Sequence, residues 1–275
     1  MNSYGVVGNP ISHSLSPKIH RMFAMETGDD LVYDAIFSPI GKFDETVLNF
    51  RKKGGLGLNI TVPFKEQAYL LADVHSNRAS VAGVANLIQF NDNQIFADNT
   101  DGVGLIRDLN DNLGVALHSK RILLLGAGGA SRGVLGPLLH SGPKTLTIAN
   151  RSKIKAEVLA KKNQRDQCVV KGVALTEIDG DQFDVVINAT ASSLGGEELR
   201  IPDGIFSGDS VAYDMMYGPS AQTFLNKAAK KGATKTADGL GMLVEQAAEA
   251  FYLWHGVFPD TEPVIHKLKG KSIPD

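Results

Sequence analysis

The chain has 275 residues, 43% hydrophobic and 21% charged, with a net charge of −2. That length suits two domains better than one core, and the charge balance excludes a basic field that would draw nucleic acid or an anionic membrane. One cysteine, Cys168, rules out an intrachain disulfide framework, the histidines form no helix-spaced metal pair, and no apolar run nears the ~20 residues of a membrane span. The expectation is a cytoplasmic protein with no metal, acting on a small molecule that must be gripped locally.

In chain order, residues 4–8 form a short apolar run ended by Asn9-Pro10, a strand and a turn. Ser16-Pro17 then opens a helix over 17–27, with serine as N-cap and proline at N1. A strand follows at 31–37, a helix at 42–53 stopped by Gly54-Gly55, and a strand at 57–61. Pro63 starts the next helix, a strand ends at Asp98, and 101–112 reads as a helix linking two halves. From 121 the alternation resumes, with strands at 122–125, 144–149, 184–188 and 211–214 and helices between them. A last helix at 240–254 carries Leu243, Ala247, Phe251 and Trp254 at helical spacing. It is expected to pack back on the first half. The fold class is therefore α/β with two domains separated by a cleft. Residues 1–101 plus 240–275 would form a substrate domain, and 102–239 a Rossmann-like dinucleotide domain.

The second half opens on Arg121-Ile-Leu-Leu-Leu and the turn Gly126-Ala127-Gly128-Gly129-Ala130-Ser131. Strand, glycine turn and helix N-terminus make a cradle for a pyrophosphate. Gly126 permits the tight turn, and Gly128 removes a Cβ that would block the diphosphate. Ser131 stands where a third glycine is usual, and its hydroxyl suits phosphate contact better than tight helix packing. NAD-selective folds place an acid about 20 residues further on, against the ribose hydroxyls. Here that stretch is Asn150-Arg151-Ser152-Lys153-Ile154-Lys155. Arg151 with Lys153 or Lys155 fits a 2′-phosphate instead, which predicts NADP. The plainer alternative is a solvated basic first turn, although cations there oppose the helix dipole.

Three segments of the first half are polar beyond what packing requires. In Ser12-His13-Ser14-Leu15-Ser16-Pro17, Ser14 and Ser16 could grip a carboxylate, with a plain N-cap as the alternative for Ser16. Asn59-Ile60-Thr61-Val62-Pro63-Phe64-Lys65 places Lys65 in a first helical turn, where the dipole should favour the neutral amine, with an ordinary surface lysine as the alternative. In Asp98-Asn99-Thr100-Asp101-Gly102, Asp101 could serve chemistry or only cap a helix.

These segments, with the glycine turn and Ala237-Asp238-Gly239-Leu240-Gly241-Met242-Leu243, occur in an order that resembles the shikimate/quinate dehydrogenase family over nearly the whole chain. The resemblance implies NADP-dependent interconversion of 3-dehydroshikimate and shikimate, on the way to aromatic amino acids. It implies that Lys65 and Asp101 form the catalytic pair. Ser14 and Ser16 would hold the substrate carboxylate, Thr61, Lys65, Asn86 and Asp101 would surround the ring hydroxyls, and Tyr217 and Gln246 would close the pocket. Asn188, Thr190, Met215 and Gly239 would join Gly126 to Ser131, Asn150, Arg151, Ser152 and Lys155 around the cofactor. The chain departs from the family pattern at Asn77, Ala85 and Leu87 and in the segment 218–224. Two rivals remain: a quinate/shikimate dehydrogenase with dual substrate and cofactor use, and a non-catalytic NADP sensor. A homodimer is an open option for the assembly.

Overall fold

The computed structural model describes residues 2–164, 168–178, 180–190 and 199–270. The chain divides into two compact units, Met1–Gly104 with Leu243–Asp275, and Leu105–Met242.

The first unit runs β1 (Asn2–Gly8), α1 (Ser16–Thr27), β2 (Leu31–Phe37), α2 (Phe43–Lys52), β3 (Gly55–Ile60), α3 (Lys65–Leu71), β4 (Val74–His75), α4 (Asn77–Ala82), β5 (Leu87–Asn91) and β6 (Gln94–Asp98). Its sheet has the order β2-β1-β3-β5-β6-β4. The β2, β1 and β3 strands are parallel, while β5 runs antiparallel to both β3 and β6. Period-two alternation assigns β1 side chains to opposite faces. Val7 joins Phe43, Val47, Leu58 and Phe64 under α2 and α3. Tyr4 and Val6 go to the other side, where Tyr4 stacks on Trp254 at 4.7 Å. The unit is completed by late chain: α9 (Leu240–His255) and α10 (Glu262–Leu268) follow the second unit in sequence. Val244, Ala247 and Phe251 of α9 bury against Ile19 and Phe23 of α1, which is the packing the helical spacing of 240–254 predicts.

The second unit is entered through α5 (Asp101–Arg107). It then runs β7 (Arg121–Leu125), α6 (Gly129–His140), β8 (Thr145–Asn150), α7 (Lys153–Lys162), β9 (Val169–Ala174), β10 (Phe183–Asn188), β11 (Phe206–Asp214), α8 (Pro219–Lys230) and β12 (Lys235–Asp238). All neighbours are parallel, in the order β12-β11-β10-β7-β8-β9. That is the doubly wound dinucleotide order, with its switch point between β7 and β10. A parallel sheet covered on both faces needs strands apolar throughout. Accordingly Ile122 and Leu124 face one buried cluster and Leu123 and Leu125 the other.

Several local expectations are corrected. Leu15, not Ser16, occupies the N-cap of α1, and Ser16 is its first residue, buried. The hydroxyl two residues upstream takes the capping part, because Ser14 Oγ accepts the Ser16 N–H at 3.3 Å. Helix α3 starts at Lys65 rather than Pro63, since the Phe64 N–H closes a turn onto the Thr61 carbonyl at 3.1 Å. The linking helix changes at Asp108 into a π-helical turn, Asp108–Asn112. Buried Asp108 there accepts the Tyr213 hydroxyl at 2.5 Å. Strand β11 begins five residues before 211, its start hidden by the polar stretch Ser207-Gly208-Asp209-Ser210.

Candidate active site

In the first unit, Lys65 and Asp101 come from separate elements to one point. Lys65 opens α3 just after β3, and Asp101 opens α5 just after β6. Lys65 Nζ donates to Asp101 Oδ2 at 2.5 Å, with the side chains 15% and 6% exposed. A carboxylate on the ammonium means that the helix dipole is not the only field acting on Lys65.

Asn86 holds the other side of Asp101. Its Nδ2 donates to Asp101 Oδ1 at 2.9 Å and stands 2.9 Å from Thr100 Oγ1 and 3.1 Å from Gln246 Oε1. Its Oδ1 accepts the Thr100 N–H at 2.7 Å. Gln246, on α9, is steadied by donating to the Leu243 carbonyl at 2.8 Å. Buried polar groups survive only when paired, and this set is paired internally. Lys65, Asn86, Asp101 and Gln246 thus form one network. Asn59 supports it from beneath: Nδ2 donates to the Asn86 carbonyl at 3.3 Å, and Oδ1 accepts the Tyr33 hydroxyl at 2.7 Å. Tyr33 is in turn stacked on buried His20 at 4.1 Å.

Ser14 is half-buried at the entry to α1. Thr61, half-buried, donates its N–H to the Val7 carbonyl at 2.9 Å. A side chain at Gly8 would displace Thr61, because a Cβ would lie 2.4 Å from Thr61 Cγ2. Among the departures, Ala85 and Leu87 are fully buried, and Asn77 is the exposed first residue of α4.

Tyr217 belongs to the second unit, half-buried between β11 and α8. In that unit Gly126 follows β7 at φ +109°, and a Cβ on it would meet Ser131 Oγ, the Ala189 carbonyl and Thr190 Cγ2 at 3.1–3.2 Å. Gly128 is the N-cap of α6, and no side chain caps the helix. A Cβ on Gly128 would meet nothing within 4 Å, so its face is open. Open glycine, an uncapped helix start and a parallel-sheet switch point fit a dinucleotide diphosphate. Ala127, Gly129 and Ala130 are partly buried beside them.

Ser131 differs from expectation. It is fully buried, and its Oγ has no hydrogen-bond partner among the described residues. The hydroxyl lies under the Gly126 turn, so any phosphate contact from Ser131 falls to its backbone N–H.

Asn188 ends β10 and orders the neighbouring loops. Its Nδ2 donates to Asp214 Oδ2 at 2.9 Å, while its Oδ1 accepts the Thr190 N–H at 3.1 Å and the Thr190 hydroxyl at 2.7 Å. Burial pushes the Asp214 carboxyl up to about 6. The Met215 N–H donates to the Asn188 carbonyl at 2.9 Å. Gly239 has no room for a side chain, since a Cβ would lie 2.4 Å from the Met215 carbonyl oxygen.

On the basic stretch, Asn150 Nδ2 donates to the Ser152 carbonyl at 3.0 Å, which shapes the turn, and Ser152 is the N-cap of α7. Arg151 and Lys155 are exposed there. Lys153 pairs with Glu177 at 2.7 Å.

Asn59, Tyr33 and Asp214 support the site although no motif assigns them a role. Asn59 had a signal, being a polar residue in an apolar strand. Tyr33 and Asp214 show their place only through tertiary partners. Among the described residues no helix is long and apolar enough to cross a membrane.

Comparison with known proteins finds relatives over nearly the whole chain. Residues 6–88 match the shikimate dehydrogenase substrate binding domain, 108–195 match shikimate / quinate 5-dehydrogenase, and 239–269 match the shikimate 5′-dehydrogenase C-terminal domain. Shikimate dehydrogenase (NADP(+)) of Dechloromonas aromatica is 52% identical over 98% of each chain. That of Hahella chejuensis is 51% identical over 98% of this chain and 99% of its own. Among solved structures, an Ael1 enzyme from Pseudomonas putida superposes with TM-score 0.86 at 44% identity, over 100% of this chain and 99% of that one. Shikimate 5-dehydrogenase of Thermus thermophilus, in complex with NADP(H) and shikimate, gives 0.85 at 30% identity over 98% and 99%.

Proposed function

Because the chain belongs to the shikimate dehydrogenase family, we propose that it interconverts 3-dehydroshikimate and shikimate with NADP as cofactor, in the shikimate pathway. The observation that carries this reading is the Lys65–Asp101 pair, built into one polar network with Asn86 and Gln246.

Reduction of a ring ketone needs a hydride at carbon and a proton at oxygen. NADPH, when bound, supplies the hydride. Lys65 Nζ supplies the proton, and in the oxidation direction takes it from the hydroxyl. Asp101 holds that hydroxyl beside the ammonium, and Asn86 fixes the carboxylate that does so. Thr61 and Gln246 meet the remaining ring hydroxyls, Ser14 and Ser16 hold the substrate carboxylate, and Tyr217 closes on the substrate. Gly126 to Ser131 receive the diphosphate, Asn150, Arg151, Ser152 and Lys155 the 2′-phosphate, and Asn188, Thr190, Met215 and Gly239 the nicotinamide side. Residues 1–101 with 240–275 act as the substrate domain and 102–239 as the NADP domain.

The lone cysteine suits a cytoplasmic protein. A homodimer is part of the same reading, supported by the edge position of β2 and by Phe37 and Ile40, 58% and 71% exposed. Sedimentation at two concentrations tests it.

The decisive experiment is a four-way assay of shikimate and quinate with NADP and NAD. The expected result is highest kcat/KM for shikimate with NADP. Equal use of quinate or of NAD would replace this reading with the dual-specificity one. Absence of turnover in all four would leave a sensor.

A further inference from the structure

Resting on the reading above, we infer that Arg78 is a positioning residue for the reaction. Its guanidinium fixes both the turn that carries Asp101 and the helix that carries Gln246.

Arg78 sits on α4, and its side chain is 28% exposed between two carboxylates exposed by only 4% and 12%. Its Nε donates to Asp98 Oδ1 at 2.7 Å and its Nη2 to Asp98 Oδ2 at 2.8 Å. A third donor, Nη1, reaches Glu249 Oε1 at 2.9 Å. Only a planar fork can clamp one carboxylate at two points and hold another with the nitrogen left over.

Each tie leads to the site. Asp98 ends β6, and besides the guanidinium its Oδ1 takes the Ser76 hydroxyl and the Asn99 N–H. Asn99 Oδ1 accepts the Asp101 N–H at 3.1 Å, and Asn86 Oδ1 accepts the Thr100 N–H at 2.7 Å. Three consecutive backbone N–H groups, from the end of β6 to the first residue of α5, are therefore each held by a side chain. The first of them hangs on the carboxylate that Arg78 clamps. On the other tie, Glu249 lies three residues beyond Gln246 on α9 and shares its face. Holding Glu249 thus holds the face that presents Gln246 Oε1 to Asn86. Without the guanidinium, two largely buried carboxylates are left without their common cation. The Asp98 turn and α9 then lose their common anchor, and Asp101 drifts from the Lys65 ammonium.

The test compares wild type, Arg78→Met, Arg78→Ala, Arg78→Lys and Glu249→Gln, measuring kcat, both KM values and melting temperature, with millimolar guanidinium added to Arg78→Ala. For Arg78→Met, kcat for shikimate should fall about 10- to 100-fold, the scale of a misplaced catalytic group. The KM for NADP should stay within about 2-fold, and guanidinium should restore part of kcat to Arg78→Ala, whose truncated side chain leaves room for it. Arg78→Lys should recover little, because an ammonium cannot make the two-point clamp. Glu249→Gln should lower kcat a few-fold, and it carries the test if Arg78→Met does not fold. Wild-type turnover with unchanged kcat in the folded variants would overturn the inference. So would a fall in kcat matched by an equal loss in NADP affinity, or one in Arg78→Ala that guanidinium leaves untouched. An inactive wild type would instead overturn the assignment of the reaction.

Discussion

Lys65→Met keeps most of the aliphatic stem in its half-buried place and removes the ammonium that meets Asp101 at 2.5 Å. Turnover should drop about 10²–10⁴-fold with a smaller change in KM, and steady-state kinetics with shikimate and NADP reads it directly. Near-wild-type turnover would remove Lys65 from the proton path. Gly126→Ala tests the cofactor side. At φ +109° with contacts already at 3.1–3.2 Å, alanine should cost about 1–3 kcal/mol of stability. NADP affinity should weaken with it, as calorimetric titration would show. His20 gives a pH dependence. Burial, with His255 nearby, pushes its pKa down to about 3, against about 6.5 in an unfolded chain. Between those values only the unfolded chain takes the proton. Its contribution is therefore whole above about pH 6.5 and lost as pH falls toward 3, by about 1.4 kcal/mol per unit. His20→Leu should flatten that slope, read from urea midpoints at pH 7 and pH 5. The motifs announced Lys65 and Asp101 because polar residues at strand ends have few packing reasons to be there. They could not announce Arg78, whose partners Asp98 and Glu249 lie 20 and 171 residues away in sequence.

Among elements, the second unit was the easier to read. Its central strand is an unbroken apolar run, the mark of a parallel strand covered on both faces, and a glycine turn follows it at once. The first unit hid more. Strand β4 has two residues, too few for any periodicity. The β5–β6 hairpin did carry a signal, because only Asp92 and Asn93 separate its strands and such pairs make tight turns. Helix α1 showed the limit of cap rules: Ser16-Pro17 fits an N-cap, yet the cap lies one residue earlier. Packing between α7 and β9 supplies a prediction. A Cβ on Gly172 would lie 2.4 Å from the Ala156 and Glu157 backbone, which no side-chain rotation can relieve. Gly172→Ala should destabilise the protein by about 1–3 kcal/mol, seen as a lower urea midpoint. An unchanged midpoint would mean that α7 is free to shift.

For the molecule as a whole, the division into two units turns ligand binding into a test of architecture. A chain ended after Met242 retains every residue of the second unit, Leu105–Met242. It strips from the first Val244, Ala247, Ala248, Phe251, Val264 and Ile265, a large share of one core cluster, together with Gln246. Such a chain should still bind NADP and should lose shikimate. Titration of each ligand separately checks both halves of that statement. Retained shikimate binding would show that α9 is dispensable to the first unit.

The return of α9 to the first unit also orders events on the ribosome. Domains usually fold one after another as they are made, the earlier first. Here the earlier unit must wait. Residues 2–104 emerge with Ile19 and Phe23 of α1 still lacking their α9 and α10 partners, while 105–242 emerge with their whole sheet. The nascent chain can therefore settle its nucleotide-type sheet first and complete the older half only when the last helices appear. Trigger-factor-like holding of exposed Ile19 and Phe23 during that interval, followed by pulse proteolysis of stalled chains, would measure the delay.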